Sequence, residues 1–157
     1  MQHLIHWPRR FHPDVAPIHI KNELHTSATP DQVWVSLIKA RHWPRWYPNA
    51  KRVMTGDADL NADSIFHWTT FGVRLKSVVA EFIPNERIAW SAKGLGVDVY
   101  HAWLIEKTPN GCKITTEETQ YGWACKLSHK IWPNRMYKQH QVWLENLSQK
   151  ASEVTTN

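Results

Sequence analysis

A chain of 157 residues, 42% hydrophobic and 21% charged, is long enough for one domain with its own core and lacks the composition of a disordered polymer. Its net charge of +5 comes from scattered Lys and Arg, adjacent at Arg9-Arg10 and Lys51-Arg52, so no basic stripe points to a nucleic-acid partner. Two cysteines, Cys112 and Cys125, are too few for a disulfide framework and lack zinc-ligand spacing.

The N-terminal stretch MQHLIHWPRRFHP has no apolar run of signal-peptide length, and no segment approaches a membrane span. The expectation is a soluble, cytoplasmic protein. Residues 1–15 read as a leader, with Pro8 and Pro13 and no periodicity, followed by a single domain over 16–153. His3, His6 and His12 raise the question of a metal site, but imidazoles without fixed geometry or further ligands do not make one. A tail that packs Trp7 or Phe11 onto the body is the expectation there.

Ile18, Ile20 and Leu24 alternate with polar residues, the pattern of a half-buried strand. Thr29 or Ser27 caps the helix that follows, Pro30 suits its first turn, and Val33, Trp34, Leu37 and Ile38 form its apolar face. Pro44 and Pro48 stop that helix, and Trp43, Trp46 and Tyr47 make an aromatic corner around them. The run Arg41–Trp46 interleaves aromatic and basic residues; its proline boundaries suit a cap over a cavity better than a base-stacking surface.

Six strands are predicted next, over 51–56, 63–71, 73–84, 86–93, 97–107 and 111–121. Turn signals separate them at Gly56-Asp57, Gly72, Pro84-Asn85, Gly94 with Gly96, and Pro109-Asn110-Gly111, so the strands form an antiparallel meander. Gly122 to Ile131 reads as a short helix. After Pro133 a long one carries Met136, His140, Trp143, Leu144, Leu147 and Ala151 on one face. A long helix across a curved antiparallel sheet is an α+β arrangement.

The order of elements and several words resemble the START-like, helix-grip superfamily (SRPBCC), in its polyketide cyclase/dehydrase branch. The words are Thr29–Trp34, Trp43-Pro44-Arg45-Trp46-Tyr47-Pro48, Phe66-His67-Trp68, Ser77-Val78-Val79-Ala80-Glu81 and Glu86-Arg87-Ile88-Ala89-Trp90. They continue with His101-Ala102-Trp103-Leu104, Glu117-Glu118-Thr119 and His140-Gln141-Val142-Trp143-Leu144-Glu145-Asn146-Leu147, and the likeness covers about residues 17–152. The resemblance implies a seven-stranded curved antiparallel sheet wrapped around the long C-terminal helix, with two short helices after the first strand closing one end. It also implies a hydrophobic cavity between sheet and helix, in a family whose members bind lipids, steroids and polyketides or act as cyclases. Fold does not fix function, so the site has to carry that argument.

The hairpin at Pro109–Gly111 sets a register. With Lys107 opposite Cys112, Ile105 faces Ile114, Trp103 faces Thr116 and His101 faces Glu118, all on one face. His101 and Glu118 are therefore the candidate acid–base pair, because a buried imidazole beside a carboxylate is how catalytic groups are tuned. The same pairing serves equally to satisfy polar groups in a cavity wall. Ser77, Ser91 and Cys125 have no assigned base, so no activated nucleophile is evident.

The predicted ligand-binding set is Trp68, Trp90, Trp103, Ile105, Thr116, His140 and Trp143. Indoles offer a flat apolar wall with one N–H donor. Trp34, Trp43 and Trp46 are expected to hold the closure together rather than touch ligand. The function expected is binding of a small hydrophobic, planar or aromatic, lipid- or polyketide-like molecule. The alternative is a cofactor-independent polyketide cyclase or dehydratase, a lyase or isomerase using His101 with Glu118. No metal or organic cofactor is expected, and the partners are a small hydrophobic ligand without nucleic acid or membrane span, in a monomer or homodimer.

Overall fold

The alternation read in the first strand becomes a sheet edge. In the computed structural model, which describes residues 5–56 and 58–155, β1 (Ile18–Thr26) buries Ile18, Ile20 and Asn22 and exposes His19, Lys21 and Glu23. It pairs antiparallel with β7 (Gly111–Tyr121). The remaining strands are β2 (Lys51–Met54), β3 (Ile65–Thr70), β4 (Val73–Ile83), β5 (Arg87–Gly94) and β6 (Val97–Thr108), and the seven-stranded order is β1-β7-β6-β5-β4-β3-β2. The meander from β2 to β7 thus closes back on β1. The expected strand over 51–56 ends at Met54, just before Gly56 turns the chain with a φ of 71°, and within it Arg52 has a φ of 50° where the pairing register shifts. Asp57 and His3 lie outside the described residues.

The hairpin between β6 and β7 has the predicted register, with Lys107 opposite Cys112, Trp103 opposite Thr116 and His101 opposite Glu118. Gly111 makes it: its φ is 148°, and a Cβ there would sit 2.0 Å from the Thr26 carbonyl oxygen. No other residue fits both demands.

α1 (Pro30–Ile38) starts with a capping box in which Thr29 accepts from the Gln32 backbone N–H and the Gln32 side chain accepts from the Thr29 N–H. It is followed by a 3₁₀ segment, Ala40–Arg45, containing Pro44. Trp43 turns inward there, fully buried, and its indole N–H donates to the Leu37 carbonyl at 3.0 Å, closing the end of α1. α2 (Trp123–Ile131) and α3 (Arg135–Ser152) complete the chain. α3 lies against β1 and α1 and buries His140, Trp143, Leu144, Leu147 and Ala151. Asn22 fastens β1 to it by donating to the Tyr137 carbonyl and to Gln141 Oε1, each at 3.0 Å. A buried amide with such partners replaces apolar packing with a directional tie.

The opposite face of the sheet is covered as well. Phe11 is buried in the leader and packs with Tyr100, Ala89 and Ala102, while Trp7 and Tyr121 flank it. Thr119 donates its hydroxyl to the Phe11 carbonyl at 2.9 Å, Tyr121 to the Arg10 carbonyl at 2.6 Å, and Arg10 pairs with Asp98. His6 stands beside Glu81 and His12 beside Asp14, so each of these two imidazoles has a carboxylate neighbour. Among the described residues no helix is long and apolar enough to cross a membrane.

Candidate ligand cavity

Side chains of one parity on β3 to β7 point toward α3. Where α2 and the first turns of α3 arch over them, a cavity of about 200 Å³ remains. That lies below the roughly 300–1,000 Å³ of sites for drug-sized ligands. Its apolar wall includes Trp68 from β3, Leu75 from β4, Trp90 from β5 and Val99 from β6, with Met136 and Trp143 from α3. Phe71, Ser128 and Arg135 also line it and are partly exposed, which places the mouth between the β3–β4 turn and α2. The Arg135 guanidinium sits over the Phe71 ring at 4.9 Å and the Trp132 ring at 5.2 Å.

The polar groups gather on β6, β7 and α3. His101 Nδ1 lies 3.0 Å from Glu118 Oε2 and donates to it; His101 Nε2 meets Thr116 Oγ1 at 2.6 Å. Gln120 donates its amide to the other oxygen, Glu118 Oε1. From α3, His140 stacks on His101 with ring centroids 4.9 Å apart and 25° between planes. Its Nε2 is 3.7 Å from Glu118 Oε2, too long for a hydrogen bond, and its Nδ1 has no partner. All three are buried.

Burial alone would raise the Glu118 pKa, but the charge and hydrogen bond of His101, then His140 and Gln120, hold it down at about 2. Burial pushes His140 down to about 4, with His101 adding to the effect against the attraction of Glu118. The pole therefore carries a fixed carboxylate and a neutral His140 at neutral pH. Cys125, also on the wall, is raised to about 11 by burial and by Glu118, so its thiol stays protonated and is no nucleophile.

Of the predicted residues, Trp68, Trp90, His101, Glu118, His140 and Trp143 come together on this wall. Trp103, Ile105 and Thr116 are buried on the same face but do not line the cavity. Strand parity fixes the face, not the depth, and α1 and α3 fill that end of the sheet. Trp103 stacks on His101 at 5.3 Å and 22°, and Thr116 anchors His101, so both act on the cavity through that imidazole. Gln120 and Tyr47 were missed. The register that paired His101 with Glu118 also places Gln120 opposite Val99, a signal that was available. Tyr47 stacks on Trp143 at 4.4 Å and 10° across the molecule, which no local pattern announces. Trp43 and Trp34 are closure residues: Trp43 touches Phe66, Trp68, Trp90 and Trp143, and Trp34 packs on Phe82.

Beside the mouth, α2 leaves Trp123, Leu127 and Ile131 exposed at intervals of one helical turn, and Trp132 and Tyr137 continue the patch. Lys126, Lys130 and Lys138 are exposed among them, and no Asp or Glu occurs from Trp123 to Leu144.

The family model described as "Polyketide cyclase / dehydrase and lipid transport" matches residues 17–151. The chain belongs to this family. No curated protein matches it in sequence. Among solved structures, a hypothetical protein of Helicobacter pylori is 29% identical, with a TM-score of 0.86 over 96% of this chain and 98% of that one. The Zhui aromatase/cyclase of a Streptomyces species is 12% identical, with a TM-score of 0.74 over 86% of this chain and 93% of its own. A truncated norcoclaurine synthase of Thalictrum flavum is 17% identical, with a TM-score of 0.67 over 88% and 95%. The latter two share the fold of this polyketide cyclase/dehydrase domain, in which sheet and long helix enclose the cavity. The leader precedes the matched residues.

Proposed function

We propose that the cavity binds a small planar apolar molecule, lipid- or polyketide-like, that carries one carbonyl or hydroxyl. The observation that supports this most directly is the division of the wall. Indole and aliphatic surfaces take the flat body, and His140 and Glu118 on the same wall supply its polar end.

A second reading, cofactor-independent cyclase or dehydratase chemistry, is favoured by the 3.0 Å contact of His101 with Glu118. In it the pair forms the acid–base unit, and His140 is the imidazole that meets the substrate, since both His101 nitrogens are engaged. Native mass spectrometry of tag-free protein, looking for a retained small molecule, and quenching of tryptophan fluorescence by 2-naphthol test the first reading. Saturable quenching that weakens about tenfold in Trp143→Leu is expected; quenching that is linear and equal in both proteins refutes it. Cyclisation of a short poly-β-carbonyl thioester, lost in His101→Ala while 2-naphthol still binds, would establish the second. Unchanged turnover in that variant removes it.

A further inference from the structure

Two imidazoles, His101 and His140, face one carboxylate oxygen inside this wall, and the hydrogen bonding between them is incomplete. His101 Nδ1 and Glu118 Oε2 are 3.0 Å apart, a hydrogen bond, whereas His140 Nε2 stands 3.7 Å from the same oxygen. His140 is only 2% exposed, and its Nδ1 has no partner. Neither nitrogen of this buried ring is hydrogen-bonded, although the ring is held in place by stacking on His101. Such a group calls for a ligand that the three side chains share.

We infer that His101, Glu118 and His140 form a site for one divalent transition-metal ion, with His101 Nδ1, Glu118 Oε2 and His140 Nε2 as ligands. One donor atom from each of the three residues lies within 4.8 Å of the other two. Ligands about 2.0–2.1 Å from a tetrahedral ion sit roughly 3.3–3.5 Å from each other. The separations of 3.0 and 3.7 Å bracket that value and the third, between the two imidazoles, is within 4.8 Å, so side-chain shifts on the order of 1 Å complete the geometry. The ion takes the place of the proton on His101 Nδ1: in a neutral ring that proton moves to Nε2, which then donates to Thr116 Oγ1, and in an imidazolium ring it leaves to solvent.

Two of the three ligands have outer contacts: Thr116 holds His101 Nε2 at 2.6 Å and Gln120 holds Glu118 Oε1, while His140 is placed by stacking on His101. Such outer contacts orient ligands and fix which ring nitrogen is free. Two imidazoles and one carboxylate suit Zn²⁺, Fe²⁺, Co²⁺ or Mn²⁺, and disfavour Ca²⁺ and Mg²⁺, which take all-oxygen sets. Three protein ligands leave coordination positions open, and these residues line the cavity. This departs from the metal-free expectation and moves the metal question from the leader histidines to the sheet. It does not depend on the cavity holding an organic ligand, because the ion is tested alone.

The test uses the full chain, with any affinity tag removed and metal stripped by chelator, titrated with Co²⁺ and followed by its visible d–d absorption. One Co²⁺ per chain is expected. His140→Ala should weaken binding by more than the roughly 10–100-fold that losing an outer contact costs, and Thr116→Val by about that range. The double variant His6→Ala, His12→Ala should bind as the wild type does. Absence of stoichiometric binding, unchanged affinity in His140→Ala, or loss in the leader variant overturns the inference. X-ray absorption of the Zn²⁺-loaded wild-type chain needs no variant. Two imidazoles with oxygen ligands support the site, and a thiolate or a third imidazole refutes it.

Discussion

Trp43→Phe isolates what the aromatic corner contributes. Trp43 is fully buried, lies 5.3–5.9 Å by ring centroid from Phe66, Trp68, Trp90 and Trp143, and donates its N–H to Leu37 O. A phenyl ring keeps part of the edge-to-face packing but leaves roughly 40 Å³ empty, worth about 1 kcal/mol at ~24 cal/mol per Å³. The Leu37 carbonyl loses its indole donor at the closing turn of α1, adding about 1–3 kcal/mol. A loss of about 3 kcal/mol corresponds to a fall of about 6–12 °C in Tm for a domain of this size. Urea unfolding followed by far-ultraviolet circular dichroism reads it, with an unchanged m value as the sign that only stability moved. Trp43 is not on the cavity wall, although it braces three residues that are. The folded variant should therefore bind 2-naphthol within a few-fold of wild type. A stability loss below about 1 kcal/mol, or abolished binding at unchanged stability, would refute the closure role.

Acid should destabilise the metal-free chain before the carboxylates titrate. His140 is held at about 4 in the fold against an ordinary 6.5, so between those values the unfolded chain binds the proton first and stability falls as pH drops. Glu118, held at about 2 against 4.5, adds its own loss as pH falls from 4.5 toward 2. Unfolding free energies from urea melts should be level above about pH 7 and decline below about 6.5 by an amount on the order of 1–3 kcal/mol, the upper part flattening in His140→Gln. An unfolding free energy constant from pH 7 to 5 contradicts this. Phe11→Ala should cost about 3 kcal/mol through lost packing on Tyr100 and Tyr121; a change under 0.5 kcal/mol, on the order of an ordinary surface substitution, would show that the leader is not part of the fold's stability.

Much of the architecture was legible because its signals are local. Thr29 and Gln32 around Pro30 announce a helix start, and Pro109-Asn110-Gly111 fixes the register that pairs His101 with Glu118. What stayed hidden depends on how far the sheet curls. Nothing within α3 says that His140 will stand over Glu118, or that Trp143 will meet Tyr47. Trp103 and Thr116 were assigned to the cavity by parity, and their depth was settled by α1 and α3 packing above them. The leader's Trp7 and Phe11 suggested a packed tail, but not where it docks. Its burial of Phe11 needs the outer face of β6 and β7, which alternation leaves open but does not fill.

The exposed stripe on α2 bears on how the protein behaves as a colloid. Trp123, Leu127, Ile131 and Trp132 would favour contact between copies, while Lys126, Lys130 and Lys138 beside them repel a second copy of the same end. These two forces have different ranges. Charge repulsion reaches about 10 Å at 0.1 M salt and about 3 Å at 1 M, whereas apolar contact is unaffected by screening. Added salt therefore removes the repulsion first and leaves the attraction, so this protein should disperse best in dilute buffer and self-associate as salt is raised.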